Sequence, residues 1–369
     1  MKNVVVSAVN IKVGGPHVVL TNFAFELNRL ALDLDISVTY ILSKEAKIEE
    51  MNGKIVRFNW PNKNYLFRCF FEYIFLFFFF FRSKTDLWIS LNDSSPNVCA
   101  KKKIVYCHNP SPFYFRSIRD FFENPKFTVS SFFYKYVYRF NIHKNDIVIV
   151  QQFWLKKRFQ ELFNHRNIIV AKPVQFSQNY PFNYITKKNT KITNFIYPAY
   201  PRSFKNFEVI CEAVQKLTNR GVLNFNVVLT IDGTENSYSK KIFLKFGDIK
   251  NISFIGIKSY EEIQELMQSS DSLIFPSRLE TWGLPISEAI NAGLYIIASD
   301  LEYAYETVGD YPFASFFPSH DSDKLSQLMY GLITSSHFQK SNSVFIKSDD
   351  VFYPDYKSLV SHCLSIVNS

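Results

Sequence analysis

The stretch Pro276-Ser277-Arg278-Leu279-Glu280-Thr281-Trp282-Gly283-Leu284-Pro285-Ile286-Ser287-Glu288-Ala289 decides the reading of this chain. An apolar run, Leu273 to Phe275, precedes it and reads as a buried strand. Ile286, Ala289 and Ile290 follow at helical spacing. Pro285 suits a first helical turn, where its missing N–H would have had no partner. A helix starting near Leu284-Pro285, at the carboxyl end of a strand, points free N–H groups and a positive dipole end outward, which suits a phosphate. Glu280 lies in the loop before this helix and Glu288 in its first turn. Two carboxylates flanking a phosphate site, each able to accept hydrogen bonds from sugar hydroxyls, point to a nucleotide sugar.

Outward from this block, strand-like runs alternate with helical patterns. Val4–Val9, Val38–Leu42, Leu87–Leu91, Ile104–Cys107 and Ile147–Val150 read as strands in the first half. Asn194–Tyr197, Asn226–Ile231, Ser253–Ile255, Ser272–Phe275 and Leu294–Ala298 read as strands in the second. Pro16–Leu30, Phe207–Leu217, Tyr260–Gln268 and Pro285–Ala292 read as helices between them. This alternation predicts an α/β chain of two doubly wound parallel sheets flanked by helices. The expected limits are a first domain over 1–175, a second over 176–352, and a C-terminal helix over 353–369 packing back on the first. The polar stretch 171–190, with Pro173, Pro181 and Lys187-Lys188, is the expected linker.

The 369 residues suffice for two such domains. Five scattered cysteines without CxxC spacing (Cys69, Cys99, Cys107, Cys211 and Cys363) read as free thiols in a reducing compartment. The start, Met1-Lys2-Asn3-Val4-Val5-Val6, runs straight into a strand and lacks a signal-peptide pattern. A cytoplasmic protein is expected. The net charge of +9 is uneven: residues 1–170 carry 24 Lys+Arg and 13 Asp+Glu, net +11, and the remainder is net −2. A basic first half predicts contact with an anionic surface, nucleic acid or membrane. The run Tyr73 to Phe81 is uncharged and dominated by phenylalanine, but is too short to span a bilayer. It reads as a buried helix reaching back through Tyr65, Leu66 and Phe70, with a membrane-contacting aromatic surface as the rival. Phe132 to Phe140 interleaves basic and aromatic residues, which suits an amphipathic helix with a basic outer face, a membrane face or a nucleic-acid platform.

Further candidates sit at strand ends, where open α/β sheets bind ligands. Gly14-Gly15 follows the first strand; His108 ends another and enters a proline-punctuated loop. Arg202 and Lys205 precede a helix and supply cations for a diphosphate. Gly233, in Asp232-Gly233-Thr234-Glu235, ends a strand, and backbone at Gly256-Ile257 is positioned to face a base. The Glu pair also admits a glycosidase reading, which the phosphate-suited helix start disfavours. No metal-binding spacing is present. Asp33-Leu34-Asp35 and Asp321-Ser322-Asp323 read as turns or caps.

Glu280 and Glu288 in this block, with Phe275-Pro276-Ser277 and Ile297-Ala298-Ser299-Asp300, resemble the E-x7-E signature of the family 4 retaining glycosyltransferases, whose fold is GT-B. Val6-Ser7-Ala8-Val9-Asn10, Gly14-Gly15-Pro16, Tyr106-Cys107-His108-Asn109-Pro110 and Gln151-Gln152-Phe153-Trp154 are most similar to bacterial O-antigen (lipopolysaccharide) glycosyltransferases such as glucosyltransferases. The resemblance implies two Rossmann-like domains facing across a cleft, the first for acceptor and the second for a nucleotide-sugar donor. It implies transfer of a hexose, glucose first among the guesses, from a nucleotide diphosphate sugar to a lipid-linked oligosaccharide on the inner face of the cytoplasmic membrane. It implies that Glu280 binds the sugar and Glu288 the ribose, and that backbone near Thr281, Trp282, Gly283 and Leu284 holds the diphosphate. Lys205 matches the family's phosphate lysine, His108 a histidine near the donor sugar, and Gly14-Gly15 the glycine loop. No cofactor and no obligatory metal are expected. The chain departs from the family at Ala199-Tyr200, where the family has Gly-Arg, and Arg202 is the expected substitute. An epimerase or phosphorylase on the same fold, or a basic nucleic-acid-binding protein, are the rival readings.

Overall fold

A computed structural model describes residues 1–12, 14–46, 52–114, 125–173, 192–334 and 352–367. It divides into two compact units: Met1–Phe113 with Val129–Gln175 and Ser348–Ser369, and Tyr114–Thr128 with Phe176–Lys347. In chain order the strands are β1 (Lys2–Ala8), β2 (Ile36–Ser43), β3 (Lys54–Phe58), β4 (Thr85–Ser90), β5 (Ala100–Tyr106), β6 (Ile147–Val150), β7 (Ile168–Ala171), β8 (Thr193–Tyr197), β9 (Phe225–Leu229), β10 (Ile252–Phe254), β11 (Ser272–Phe275), β12 (Tyr295–Ser299), β13 (Ala314–Phe317) and β14 (Phe352–Tyr353).

The first unit holds one parallel sheet ordered β14-β7-β6-β5-β4-β1-β2-β3, and the second one ordered β10-β9-β8-β11-β12-β13. Both orders reverse direction beside their first strand, at β1/β4 and at β8/β11. Those reversals are the switch points outside which such sheets bind ligands. The central strands are fully buried and apolar, as parallel sheets covered by helices on both faces require. The α/β class, and parallel sheets in both halves, are as the sequence alternation predicts.

Four strands escape the sequence reading. In β3, Lys-Ile-Val-Arg-Phe is an exposed sheet edge with a polar pattern. β7, β13 and β14 are short, and β14 is a two-residue edge strand. The helix Tyr356–Ser365 packs on helix Gly15–Asp33. It adds Tyr356, Leu359, Val360, Cys363 and Leu364 to the first unit's core. All five cysteines are free thiols. Asp321 caps the helix at Ser322, accepting from the Lys324 N–H at 2.8 Å. The expected linker lies, from residue 174 onward, outside the described residues.

The phenylalanine run is not a buried helix. Tyr65–Phe70 and Leu76–Phe80 are α-helical, and Phe71–Phe75 between them is π-helical. Phe71, Leu76 and Phe80 reach the core with Trp88 and Ile41, while Phe78, Phe79 and Phe81 are exposed. Helix Pro125–Arg139 shows an aromatic outer face where a basic one is one of the sequence readings: Phe132, Phe133 and Tyr136 are exposed.

Candidate functional site

In the second unit, the two strands flanking the switch point each deliver one loop of the candidate site. β8 ends at Tyr197 and the chain turns through the 3-10 helix Ser203–Lys205. β11 ends at Phe275 and the chain runs through Glu280 to the helix Leu284–Asn291. Backbone bonds tie the two loops together. The Arg278 N–H donates to the Phe204 carbonyl at 2.7 Å, and the Arg278 guanidinium donates to the Ser203 carbonyl at 2.9 Å. Asn206, left-handed at φ 59°, donates from its amide to the Pro276 carbonyl at 3.2 Å. The Tyr197 hydroxyl donates to the Lys205 carbonyl at 2.8 Å.

This bracing brings Lys205 and Glu280 together: the Lys205 ammonium donates to Glu280 Oε1, with both side chains largely buried. The pair is 75 residues apart in sequence and meets only because β8 and β11 are neighbours. Arg202 is placed otherwise. Its side chain is exposed, its guanidinium lies 6.0 Å from the Tyr200 ring and 5.9 Å from the Phe204 ring, and it makes no ion pair among the described residues.

Gly283 caps the helix Leu284–Asn291 at φ 81°, ψ 62°, a left-handed conformation that glycine adopts without strain. A Cβ there would sit 3.2 Å from Phe275 and 3.3 Å from Ile286. Pro285 occupies the first turn, and no side chain caps the helix. The Gly283 and Leu284 N–H groups have no protein acceptor among the described residues, so the helix start offers donors to an anion. Trp282 is buried, its indole N–H donating to Ser287 Oγ at 2.8 Å and its carbonyl accepting from Thr307. Its ring therefore shapes the loop; what it presents to a ligand is backbone. Thr281 precedes it, half-buried.

Glu288 falls in the second turn of this helix, not the first, because the helix opens at Leu284. It makes no hydrogen bond or ion pair among the described residues, and burial pushes its carboxyl up to about 6. Burial first, and then the Glu288 carboxylate, raise the nearby Tyr260 hydroxyl. Ile257, in the loop before the helix that Tyr260 opens, is exposed. Gly256 at φ 69° presses against Asp232, whose Oδ2 would stand 2.8 Å from an added Cβ. The Gly233 N–H is already engaged: it donates to Glu235 Oε2 at 3.1 Å, and the Asp232 N–H donates to Oε1 at 2.9 Å. Gly233 contributes loop shape here, at φ 92° against Phe243.

His108, Gly14 and Gly15 belong to the first unit. Gly14 precedes the helix Gly15–Asp33 at φ 81°, ψ −161°, a conformation almost reserved to glycine. His108 follows β5, is buried, and stacks on Tyr106 with ring centroids 4.4 Å apart. Burial lowers its pKa, while the Asp93 carboxylate and the Leu91 carbonyl pull the other way. Neither ring nitrogen has a well-formed hydrogen bond. Asp93 holds the loop, accepting from the His108 N–H, from the Asn109 N–H at 3.1 Å and from the Tyr138 hydroxyl at 3.0 Å. Asp93, Tyr197, Asn206 and Arg278 were all missed in sequence; each acts by bracing, which has no spacing signature. Among the described residues, no cluster of His, Cys, Asp or Glu is arranged to hold a metal ion.

Residues 181–347 match the model of the family described as glycosyl transferases group 1. No curated protein matches the sequence significantly. Solved structures match throughout. A sucrose-phosphate synthase from Thermosynechococcus elongatus has TM-score 0.66 at 12% identity, covering 100% of this chain and 94% of its own. WaaG, a glycosyltransferase involved in lipopolysaccharide biosynthesis, has TM-score 0.63 at 12% identity, covering 99% and 95%. HepE from Anabaena, in complex with UDP-glucose, has TM-score 0.62 at 14% identity, covering 100% and 98%. At such identities the likeness establishes the fold, which is GT-B. Over residues 181–347 the chain is thus similar to the group 1 glycosyl transferases, on a GT-B fold.

Proposed function

We propose that this chain is a retaining hexosyltransferase. It moves glucose, or a close relative, from a nucleotide diphosphate sugar to a lipid-linked oligosaccharide of O-antigen or lipopolysaccharide assembly. It works in the cytoplasm, peripherally on the inner face of the cytoplasmic membrane. The observation that carries the reading is the second unit's switch point, where the Lys205–Glu280 pair stands beside an uncapped helix start and Glu288. Glu280 takes the sugar hydroxyls, Glu288 the ribose hydroxyls, and the Gly283 and Leu284 N–H groups the diphosphate. UDP-glucose in HepE supports a uridine donor.

The proposed reaction breaks the bond from the sugar's anomeric carbon to the diphosphate oxygen and forms the bond to the acceptor oxygen on the same face. The acceptor's proton passes to the leaving diphosphate. Catalysis is then placement and charge stabilisation, supplied by Lys205, Arg202 and the helix start without an obligatory metal. For His108, Gly14 and Gly15, the proposed roles rest on the resemblance alone. The test is a thermal-shift screen of UDP-, GDP-, ADP- and dTDP-sugars on wild type and Glu288→Ala, followed by proton NMR of the product's anomeric linkage. Stabilisation by one donor, lost in the variant, with retained configuration and full activity in EDTA, is the expected result. No response to any donor, or interconversion of the sugar nucleotide without acceptor, refutes it.

A further inference from the structure

The phenylalanine-rich helix is apolar on both sides, yet only one side is covered. Phe71, Leu76 and Phe80 face the first unit's core. Leu66, Phe70, Ile74, Phe78 and Phe81 face outward, with Leu66 82%, Phe78 72% and Phe81 60% exposed. Residues four apart drift around an ideal α-helix, but the π-helical stretch Phe71–Phe75 takes more residues per turn and keeps this stripe in line. A second stripe adjoins it. Phe133, Tyr136 and Phe140, at i, i+3 and i+7, are half exposed or more on the helix that ends at Arg139 and the residue after it. The Tyr73 and Phe140 rings meet edge to face at 4.5 Å, which joins the two stripes into one surface.

The surface is too large for an idle one. At roughly 100 Å² for each half-exposed aromatic side chain it reaches several hundred Å², at or beyond the largest patch a soluble monomer usually shows. Its charge identifies the occupant. Residues 59–84 and 129–145 carry Lys63, Arg68, Arg82, Lys84, Lys135, Arg139 and Lys144 against a single carboxylate, Glu72. Glu72 is buried and paired with Arg68, so the exposed charge is wholly positive. Lys135 lies over the Phe132 ring at 4.4 Å, its stem along the apolar face. A second copy of this chain would oppose like charges across the contact. A layer of anionic headgroups over acyl chains satisfies both the cations and the rings. No helix among the described residues is long and apolar enough to cross a membrane. The surface therefore lies in the interface plane.

We propose that the outer faces of residues 65–81 and 129–140 form a membrane-docking surface that inserts its aromatic side chains below the headgroups of an anionic bilayer. The inference deepens the function proposed above, and rests on it only for the purpose of docking, which is to reach a lipid-linked acceptor.

The test is co-sedimentation of the full chain with phosphatidylcholine vesicles, with and without one third phosphatidylglycerol, at low and high salt. Binding is expected only with the anionic lipid, weakening as salt rises. The triple variant Leu66→Ser/Phe78→Ser/Phe81→Ser is expected to lose at least about tenfold in partitioning. Arg82→Glu/Arg139→Glu is expected to lose binding and salt dependence together. In an Ile74→Trp variant, the indole emission shifts to the blue on vesicles. These residues are exposed, so the variants fold, and each is expected to keep the wild-type thermal shift with its nucleotide sugar. Wild-type indifference to anionic vesicles overturns the proposal, as does triple-variant binding at wild-type strength. A concentration-dependent dimer that the triple variant abolishes, without vesicle binding, assigns the surface to a second copy instead. Vesicle binding without any donor response would leave the docking surface standing and remove the enzymatic reading.

Discussion

Glu288 shows how much a single carboxyl reports. Nothing among the described residues hydrogen-bonds or pairs with it, and burial alone raises it from 4.5 to about 6. A folded-state pKa above the unfolded one means the native protein favours the protonated form. The associated stability is fully present below about pH 4.5 and is lost as pH rises through 6, some 2 kcal/mol in all. Glu288→Gln is therefore expected to raise the ligand-free melting temperature at pH 7.5 and to leave it unchanged near pH 4. Donor binding runs the opposite way. If ribose hydroxyls donate to the carboxylate, affinity weakens as pH falls through about 6 in wild type and stays flat in the variant. Thermal melts at pH 4 and 7.5 check the first sign and titration calorimetry across pH 5 to 8 the second, and a flat wild-type binding profile would detach Glu288 from the donor. The residue was visible in sequence because E-x7-E is a spacing. Its partnerless burial was not, since that depends on which loops close over it.

Elements with strong apolar periodicity were legible, and those defined by their neighbours were not. The helix Phe207–Asn219 and the strand Ser272–Phe275 fall where the pattern puts them. β3 is an edge strand whose polar residues fit its exposed position, and the phenylalanine run gave no sign of which side would be left open. The pairing of Lys205 with Glu280 was equally hidden, since it follows from β8 lying beside β11. Between those strands, the element that sets the site is the start of the helix Leu284–Asn291, and Gly283 sets its entry angle. Gly283→Ala would force an L-residue into a left-handed conformation, costing about 1–2 kcal/mol, and would crowd Phe275 at 3.2 Å. Urea denaturation is expected to show that loss. Because the Gly283 and Leu284 N–H groups are re-aimed, donor affinity should fall by more than the stability change alone explains. Equal donor affinity in a destabilised variant would mean the helix start does not hold the diphosphate.

At the scale of the whole molecule, chain order and spatial order differ. The first unit is assembled from Met1–Phe113, Val129–Gln175 and the last segment, Ser348–Ser369. That segment completes its sheet edge with β14, which pairs with β7. Its helix, Tyr356–Ser365, buries Tyr356, Leu359, Val360, Cys363 and Leu364 against helix Gly15–Asp33 and the sheet. At about 1.5–3 kcal/mol for each large apolar side chain, the helix contributes on the order of 10 kcal/mol. A domain's entire stability is about 5–15 kcal/mol. Deleting residues 348–369 is therefore expected to unfold the first unit rather than soften it. The second unit loses none of its own residues, since it comprises Tyr114–Thr128 and Phe176–Lys347. Hydrogen exchange separates the two outcomes. In the truncated chain, peptides from β1 and β4 should exchange at the rate of an unfolded chain while those from β11 and β12 stay protected. A nucleotide sugar that stabilises wild type should still protect the helix at Leu284. Leu359→Ala is the milder companion, expected to cost about 2–5 kcal/mol in the first unit only. Loss of protection in both units together would mean that the second unit does not hold its fold without the first, and that the last helix stabilises the whole chain.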